Sequence, residues 1–439
     1  MIKTLTSAFK NKDIRKKLLY TLMMLVVIRI GSLLPIPGVD TEYFSTLLSG
    51  FNSGDLSYLS AFTGGSFEKM SLFALSITPY ITSSIIMQLL TIAIPKLEEM
   101  QKEGEDGRKK IASITRYVTI GLSLIESIAM AVGFGRSGLI KDSAQLSTLH
   151  YVVCIIVVIA ALTAGSAVLM WLGERINEKG VGNGISIVLL INIISGMPSD
   201  FATLYSTFVA PKTPAKGVLA AVIILAILIV MVVLVCFLQD GERRIPVQYS
   251  QKVSGRRTVG GQSTNIPLKV NTAGVMPIIF ASSLMQFPVI IAQLFGKSYE
   301  WTRYLSSSYW CRVEAPKYSI GLLVYIVLLI IFAYFYTSIT FNPIEVADNL
   351  KKAGGVIPGI TPGKSTSEYL NKILNYIVFI GAVGLLIIAL IPIMCTGFFN
   401  ASVSFGGTSI IIIVGVVLET LKQIESQMCN RYYKGFLSE

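Results

Sequence analysis

The stretch GDLSYLSAFTGGSFEKMSLFALSITPYITSSIIMQLLTIAI, residues 54–94, joins a short apolar segment to a long one through a pair of glycines. In the short segment, Leu56, Leu59 and Phe62 recur at helical spacing and would form one apolar face. This segment is too short to cross a bilayer, which needs about 20 apolar residues in a helix. The pattern therefore predicts a half-length helix that does not span the membrane.

The glycine pair, Gly64 and Gly65, can adopt backbone angles that other residues avoid, which predicts a hinge between the two segments. The run 71–94 that follows is long enough for a membrane-spanning helix. Two interpretations of the short segment remain open. This stretch alone favours a re-entrant or surface-lying connector over a movable stopper that covers a pore.

The composition places most of the chain in lipid. Of the 439 residues, 53% are hydrophobic and only 14% are charged, whereas soluble domains carry about 25% charged residues. The single histidine, His150, argues against a histidine-based metal site or general base elsewhere. The five cysteines are scattered and indicate no disulfide framework.

Apolar runs long enough for membrane spans recur along the chain, with polar segments between them. The fifth run is the shortest. The sequence therefore predicts an all-α integral membrane protein of ten transmembrane helices, at about residues 19–35, 72–94, 115–135, 151–171, 184–197, 217–238, 274–295, 318–340, 372–394 and 407–425.

Positive charge is concentrated on one side of the predicted membrane. If the N-terminus is cytoplasmic, most of the 37 lysine and arginine residues fall in cytoplasmic segments. Such an excess predicts that both termini are cytoplasmic. Topology thereby explains most of the net charge of +12 without a nucleic-acid partner. The basic, amphipathic segment 1–18 is expected to lie on a surface of anionic lipids.

A proline-containing external loop at 198–216 divides the ten spans into two groups of five. We expect an N-terminal half at 19–197, a C-terminal half at 217–425 and a cytoplasmic tail at 426–439. Inverted repeats between halves are common in membrane transport proteins. The loop would then be the hinge between the two halves.

Polar residues within the spans indicate a bundle interior that is partly wet. Arg29 and Glu126 lie inside spans, where a charge is costly and often functional. Pairing within the bundle, or extension towards the interface, is the more ordinary interpretation of both. Gln88, Asn192 and Gln286 also interrupt apolar runs without identifying a substrate.

No catalytic constellation is recognisable in the sequence. It contains no P-loop, no HExxH, no nucleophile elbow and no paired cysteine motif. Gly182, Asn183 and Gly184 predict a turn at the start of a helix rather than a phosphate cradle. We therefore expect no enzymatic activity, no cofactor and no metal, and any energy from ATP must come from another protein.

Two cytoplasmic loops, 239–270 and 341–371, are long for connections within a compact bundle. The first alternates in IPVQYSQKV and TVGGQS, which predicts a β-hairpin with Gly255, Arg256 and Arg257 at its tip. Arginines held at a turn away from the membrane indicate an anionic partner. Anchoring of the loop by positive charge alone explains this position less well.

At these loops the sequence resembles the SecY family, the channel subunits of the Sec protein translocase. Each matching stretch is long, the stretches occur in the family's order, and together they spread over nearly the whole chain. They are GGSFEKMSLFALSITPYITSSIIMQLL, ERINEKGVGNGISI, GERRIPVQYSQK, QSTNIPLKVNTAGVMPIIFASS, FNPIEVADNLKKAGGVIPGI and FGGTSIIIIV.

The resemblance implies ten helices in two pseudo-symmetric halves around a central hourglass pore. It implies a short re-entrant plug helix at 55–68, with Leu56, Leu59, Phe62, Gly64 and Gly65. A ring of apolar side chains would form the constriction, fitting around an extended chain without selecting its sequence and resisting wetting when empty. The ring positions implied are Ile81, Ile85, Ile185, Leu189, Ile279 and Ile412.

The resemblance also implies a lateral gate between the second and third spans and the seventh and eighth. Apolar signal peptides would leave through it into lipid, while unfolded preproteins cross the pore. The implied partners are SecE-like and SecG-like small membrane subunits, a SecA-type ATPase motor and the ribosome, in the plasma (inner) membrane. The two basic loops would dock the motor or the ribosome through Arg243, Arg244, Arg256, Arg257, Lys351, Lys352 and Lys364.

One position departs from the family pattern. The family usually has an arginine between the isoleucine and proline of its PGI-x-PG stretch, where this chain has Thr361. Lys364 or the motor itself could compensate, or the change could mark an accessory translocase. The alternative function is an ion-coupled transporter of a small solute, but it leaves the large loops unexplained and finds only Glu126 as a well-placed carboxylate.

Overall fold

The structure is a computed structural model of the single chain. Its helices run in series through the chain, and its short strands lie between the sixth and ninth long helices. It describes residues 9–50, 63–135, 139–140, 147–210, 214–249, 252–254, 257–259, 263–294, 300–306, 309–311, 316–399 and 407–434.

Each of the ten predicted spans coincides with a helix. Six of the described helices are individually long and apolar enough to cross a membrane, and a bent pair beginning at Thr78 could provide a seventh span. The ten helices are α1 (Lys12–Leu33), α2 (Thr78–Ala93), α3 (Glu105–Gly135), α4 (Thr148–Lys179), α5 (Gly184–Leu204), α6 (Pro214–Asp240), α7 (Met276–Leu294), α8 (Ile320–Thr340), α9 (Lys364–Phe399) and α10 (Gly407–Lys434).

Several boundaries differ from the apolar runs. α3 begins at Glu105 and α4 ends at Lys179, so their polar ends continue the helix beyond the apolar stretch. Hydropathy reports where lipid ends, whereas backbone hydrogen bonds continue the helix into water. The remaining helical segments are the short helices Thr41–Gly50, Pro95–Lys102, Glu300–Leu305 and Pro343–Lys352, the π-helical turn Tyr205–Val209 and the 3₁₀ turn Pro316–Ser319.

The predicted span at 71–94 is only partly helical. Residues 72–77 form turns, and α2 begins at Thr78. Met70 and Ser76 have φ of 42° and 53°, a left-handed conformation that interrupts a right-handed helix. Phe73, Ala74 and Ile77 are buried, and non-helical backbone is tolerated at membrane depth where protein surrounds it. The apolar run 71–94 therefore forms buried turns followed by a short helix, and not one continuous helix.

The expected external loop at 198–216 is also shorter than predicted. α5 continues through Pro198 to Leu204, and the π-helical turn Tyr205–Val209 follows directly. The π-helical turn packs against both α5 and α6, which supports this extension. The predicted turn before α5 is confirmed, since the Asn183 side chain caps the helix by accepting from the backbone N–H of Ile185 at 3.1 Å.

The same pattern of helix contacts occurs in both halves of the chain. In the first half α2 packs on α3, α3 on α4, α4 on α5, and α1 on both α4 and α5. In the second half α7 packs on α8, α8 on α9, α9 on α10, and α6 on both α9 and α10. The correspondence supports two pseudo-symmetric groups of five helices. Between the halves, α10 packs on α5, and α7 packs on α2 and α3.

The two long loops, between α6 and α7 and between α8 and α9, fold together. β1 (Glu242–Tyr249) pairs antiparallel with β4 (Ser263–Lys269) and, through Gln248 and Tyr249, with β5 (Gly355–Val356) from the second loop. β2 (Lys252–Ser254) pairs antiparallel with β3 (Arg257–Val259). The predicted hairpin is therefore confirmed, and the pairing with β5 joins both loops into one sheet.

Candidate functional site

The six predicted ring residues lie in one hydrophobic cluster at the centre of the bundle. Ile81, Ile85, Leu189, Ile279 and Ile412 belong to its buried members, with exposed fractions of 8% or less. The sixth residue, Ile185, is partly buried and packs against the same cluster. These residues come from α2, α5, α7 and α10, so both halves of the chain contribute.

The cluster contains many further apolar residues, among them Ile187, Val188 and Ile278. Burial therefore brings the six predicted positions together without singling them out. Such a packed apolar centre offers ions no replacement for their hydration shell and resists wetting. The arrangement can act as a barrier to ions in the conformation that the structure shows.

The glycine pair adopts the predicted hinge conformation. Gly64 and Gly65 have φ of 62° and 78°, both in the left-handed region. Leu56, Leu59 and Phe62 of the predicted plug lie outside the described residues, so the half-helix itself has no structural description. Only the end of the predicted plug segment, 63–68, is described.

The segment after the hinge is fastened by aromatic packing and backbone pairing. The Phe67 ring meets the rings of Phe44 and Phe134 edge-on, with centroids 5.9 and 6.4 Å apart. The backbone N–H of Ile36 donates to the carbonyl oxygen of Met70 at 3.1 Å. The chain beyond the hinge is thereby fixed to the N-terminal half.

Polar side chains of α1 and α5 also reach this segment. The Arg29 guanidinium donates from Nη1 to the carbonyl oxygen of Gly64 at 3.4 Å, and the Ser195 hydroxyl donates to the same oxygen at 3.3 Å. The Asn192 amide donates to the Ser76 hydroxyl at 3.0 Å. The intramembrane Arg29 thus has a partner within the bundle.

The predicted docking residues are on these two joined loops. Arg243 and Arg244 are exposed on β1, and Arg244 pairs with Glu242 at 2.6 Å. Lys351 and Lys352 are exposed at the end of the helix Pro343–Lys352. The list is completed by Lys364, exposed at the start of α9, by Arg257, which begins β3, and by Arg256, which is outside the described residues.

A small hydrophobic core holds these two loops against the bundle. Ile245 and Val247 of β1 pack with Leu350 of the short helix and with Leu370 and Ile373 of α9. Val247 is fully buried. The cations of the first loop and those of the second are consequently carried on a single folded unit.

Thr361, at the position where the family usually has arginine, lies in the turn that precedes α9. Its hydroxyl is 2.9 Å from that of Ser365, and its carbonyl oxygen accepts from the Thr366 hydroxyl at 2.9 Å. The side chain therefore supports the start of the helix locally. Among the described residues, no group of three His, Cys, Asp or Glu side chains is placed to hold a metal ion.

Comparison with known proteins decides the family. The sequence profile of SecY matches residues 71–421. The chain belongs to the SecY family. It is 44% identical to the protein translocase subunit SecY of Streptomyces scabiei over the full length of both chains.

Solved structures of the SecY fold resemble this one at low sequence identity. A SecY structure from work on how the plug domain stabilises the closed state and maintains a membrane seal matches with a TM-score of 0.62 at 18% identity, covering 94% of this chain and 92% of the other. Sec61 in the canine ribosome-channel complex from the endoplasmic reticulum matches with a TM-score of 0.58 at 18% identity and the same coverage. The ten-helix arrangement predicted from the sequence is consistent with the fold of the SecY family.

Sequence reasoning missed part of this SecY-family site. The sequence shows Arg29 and Asn192 as polar residues within spans, but it does not predict their partners. Ser195 and Ser76 gave no signal, because serines are common in membrane helices and pack as small residues. Only the folded chain brings them to the hinge.

Proposed function

We propose that this chain is the protein-conducting channel of a Sec-type translocase. It passes unfolded secretory polypeptides across the membrane and releases apolar segments sideways into lipid. The observation that carries the proposal is the convergence of apolar side chains from α2, α5, α7 and α10 in one central cluster, in a chain that belongs to the SecY family. A motor or ribosome outside the membrane supplies the energy.

The pore ring in this proposal consists of the six residues already named, and the segment 55–68 is the plug. The contacts of α7 with α2 and α3 support a lateral gate between these helices. Opening these contacts would expose a translocating segment to lipid, where each buried CH₂ is worth about 0.8 kcal/mol. That gain depends on the apolar area of the segment and not on a particular order of residues, so many different apolar segments can be released.

The proposed partners follow from charge and family. The joined cytoplasmic loops, with their exposed arginines and lysines, dock a SecA-type motor or the ribosome. SecE-like and SecG-like subunits complete the complex in the plasma membrane, with both termini cytoplasmic and the basic N-terminal segment on anionic lipids. An ion-coupled transporter is not favoured, because it leaves this cytoplasmic unit without a role.

Cross-linking to a translocating chain tests the proposal. Cysteine is placed at Ile279 or Ile412 in the ring, in a background without native cysteines, and a stalled secretory chain carries one cysteine. We expect thiol cross-links from both ring positions, because an extended chain must pass between them. The measurement is the yield of the cross-linked adduct on a gel.

The matched control is Ile331, an isoleucine on α8 whose side chain is 54% exposed on the outer surface. It should give no adduct with the stalled chain. Equal yields at Ile331 and Ile279, or no adduct at either ring position, would contradict a central protein-conducting pore.

A further inference from the structure

Arg29 is a cation within the first membrane-spanning helix. A charged side chain in the interior of a span is costly unless it is directed into the protein and paired. Its guanidinium donates to the carbonyl oxygen of Gly64 at 3.4 Å. Hydrogen bonds from charged donors are stronger than those between neutral groups, so this contact can fix the Gly64 peptide.

Helix α5 approaches the same peptide from the other side. The single hydroxyl proton of Ser195 is shared between the carbonyl oxygens of Gly64, at 3.3 Å, and Asn192, at 2.7 Å. A Cβ atom at Gly64 would lie 2.6 Å from the Ser195 Oγ and 2.7 Å from the Asn192 carbonyl oxygen. Only glycine fits this close approach, and the φ of 62° also favours glycine.

The chain beyond the hinge is held in an unfavourable backbone conformation. Met70 and Ser76 have positive φ, a conformation that is strained for residues other than glycine. Asn192, one turn before Ser195, fixes Ser76 through its side-chain amide at 3.0 Å. Contacts from α1 and α5 therefore oppose the tendency of this segment to relax.

We propose that Arg29 and Ser195 form a latch on the Gly64 carbonyl oxygen, and that this latch holds the described end of the plug segment, residues 63–68, against α1 and α5. The hinge latch consists of these two donors and the one acceptor. It rests on the proposed function, in which 55–68 is the plug. Arg29 contributes most, because it is the charged donor, and it acts on the plug through the hinge peptide.

The latch predicts how strongly each donor controls opening. Removing a hydrogen bond from a charged group shifts a two-state equilibrium by about tenfold or more, whereas removing a neutral one shifts it by about fivefold. Arg29→Gln and Ser195→Ala should therefore raise the population with a released hinge in that order. Arg29→Lys keeps a cationic donor and should restore most of the closed population.

The test uses a readout of position that does not depend on transport. Ser66, two residues after Gly64, is 1% exposed, so a cysteine introduced there in a background without native cysteines is hidden while the hinge is docked. The purified complex is reconstituted into vesicles, and the rate of maleimide labelling at Ser66→Cys is measured together with the ion conductance of the idle channel. We expect Arg29→Gln to raise both by about tenfold and Ser195→Ala to raise both less.

Ser199→Ala is the matched control, because the Ser199 hydroxyl donates to the Gly196 carbonyl oxygen on an exposed part of α5. It should leave both rates unchanged. If Arg29→Gln and Ser195→Ala label as slowly as the control while the variants remain folded by size-exclusion chromatography, the latch is wrong.

A deletion of residues 56–62 separates this result from the proposed function. If the deletion raises conductance but Arg29→Gln does not, the sealing role of the plug is supported and the latch is contradicted. If the deletion leaves conductance unchanged, the sealing role of the plug itself is overturned. Labelling at Ser66→Cys that rises in Arg29→Leu and falls back in Arg29→Lys supports the latch independently of conductance.

Discussion

At the scale of single residues, close backbone contacts decide which positions accept a side chain. Gly165 of α4 faces the carbonyl oxygen of Leu72, and a Cβ atom there would lie 1.8 Å from it. Backbone cannot yield as the end of a flexible side chain can. The non-helical segment after the hinge therefore depends on a glycine from a different helix.

We expect Gly165→Ala to destabilise the channel by about 1–3 kcal/mol, the usual cost of overpacking a core. The measurement is the midpoint of thermal unfolding of the purified protein in detergent. Gly121→Ala is the matched control, since Gly121 is also in a long helix and has nothing within 4 Å of its would-be Cβ atom. Equal midpoints for the two variants would show that the segment around Leu72 shifts to accept the added methyl group on α4.

The sequence predicts single residues unevenly. The hinge at Gly64 and Gly65 is predictable, because glycine pairs favour turns wherever they occur. The ring positions come from the family resemblance alone, because isoleucine in a span is as often buried core or lipid-facing surface. The partners of Arg29 are contacts across more than thirty residues of sequence, and no local pattern records them.

At the scale of secondary-structure elements, the sheet of β4, β1 and β5 shows most clearly what the sequence can and cannot predict. The hairpin is predictable from alternation within one loop, but β5 has only two residues, too few to show any period. Its pairing with β1 is set by the packing of Leu350 and Ile357 beneath the sheet. Residues 72–77 show a similar limit of sequence-based prediction. An apolar run is compatible with either a helix or buried turns, so the sequence does not predict that these residues form turns.

Because this sheet joins the two loops, a substitution that destabilises one loop should also make the other more accessible to protease. Val247→Asp would bury a charge without a partner and destabilise the unit by about 3–5 kcal/mol. We expect faster tryptic cleavage at Lys351 and Lys352 in inside-out vesicles, although these lysines belong to the other loop. Asn265→Asp introduces the same charge at an exposed position of β4 that does not pair with β5 and should leave the cleavage rate unchanged. If Val247→Asp is cleaved no faster than this control, the two loops are independent.

At the scale of the whole molecule, two different contacts join the halves. On one side α10 packs on α5, and Ile14, Val181 and Ile424 form a small hydrophobic cluster. On the other side α7 packs on α2 and α3. If the second contact is the gate, the first must stay closed while the channel works.

Cross-linking Lys17→Cys to Gln427→Cys tests this division. The Lys17 ammonium donates to the Gln427 side chain at 3.2 Å, so a short bis-maleimide can join these positions between α1 and α10. We expect secretion to continue at nearly the rate of the uncross-linked protein, because the side on which α10 packs on α5 does not open during transport. Preprotein transport into vesicles measures it, and arrest on cross-linking would place the opening on this side instead.

The pairing of β1 with β5 also fixes an order of events during biosynthesis. About a hundred residues, including α7 and α8, separate the two strands, so at about 5–20 residues per second the second strand leaves the ribosome roughly 5–20 s after the first. Until then β1 has an unpaired edge, and the arginines of the first loop are not yet set beside the lysines of the second. A partly synthesised chain therefore cannot present the complete basic surface, which forms only after α8 and the second loop have been made.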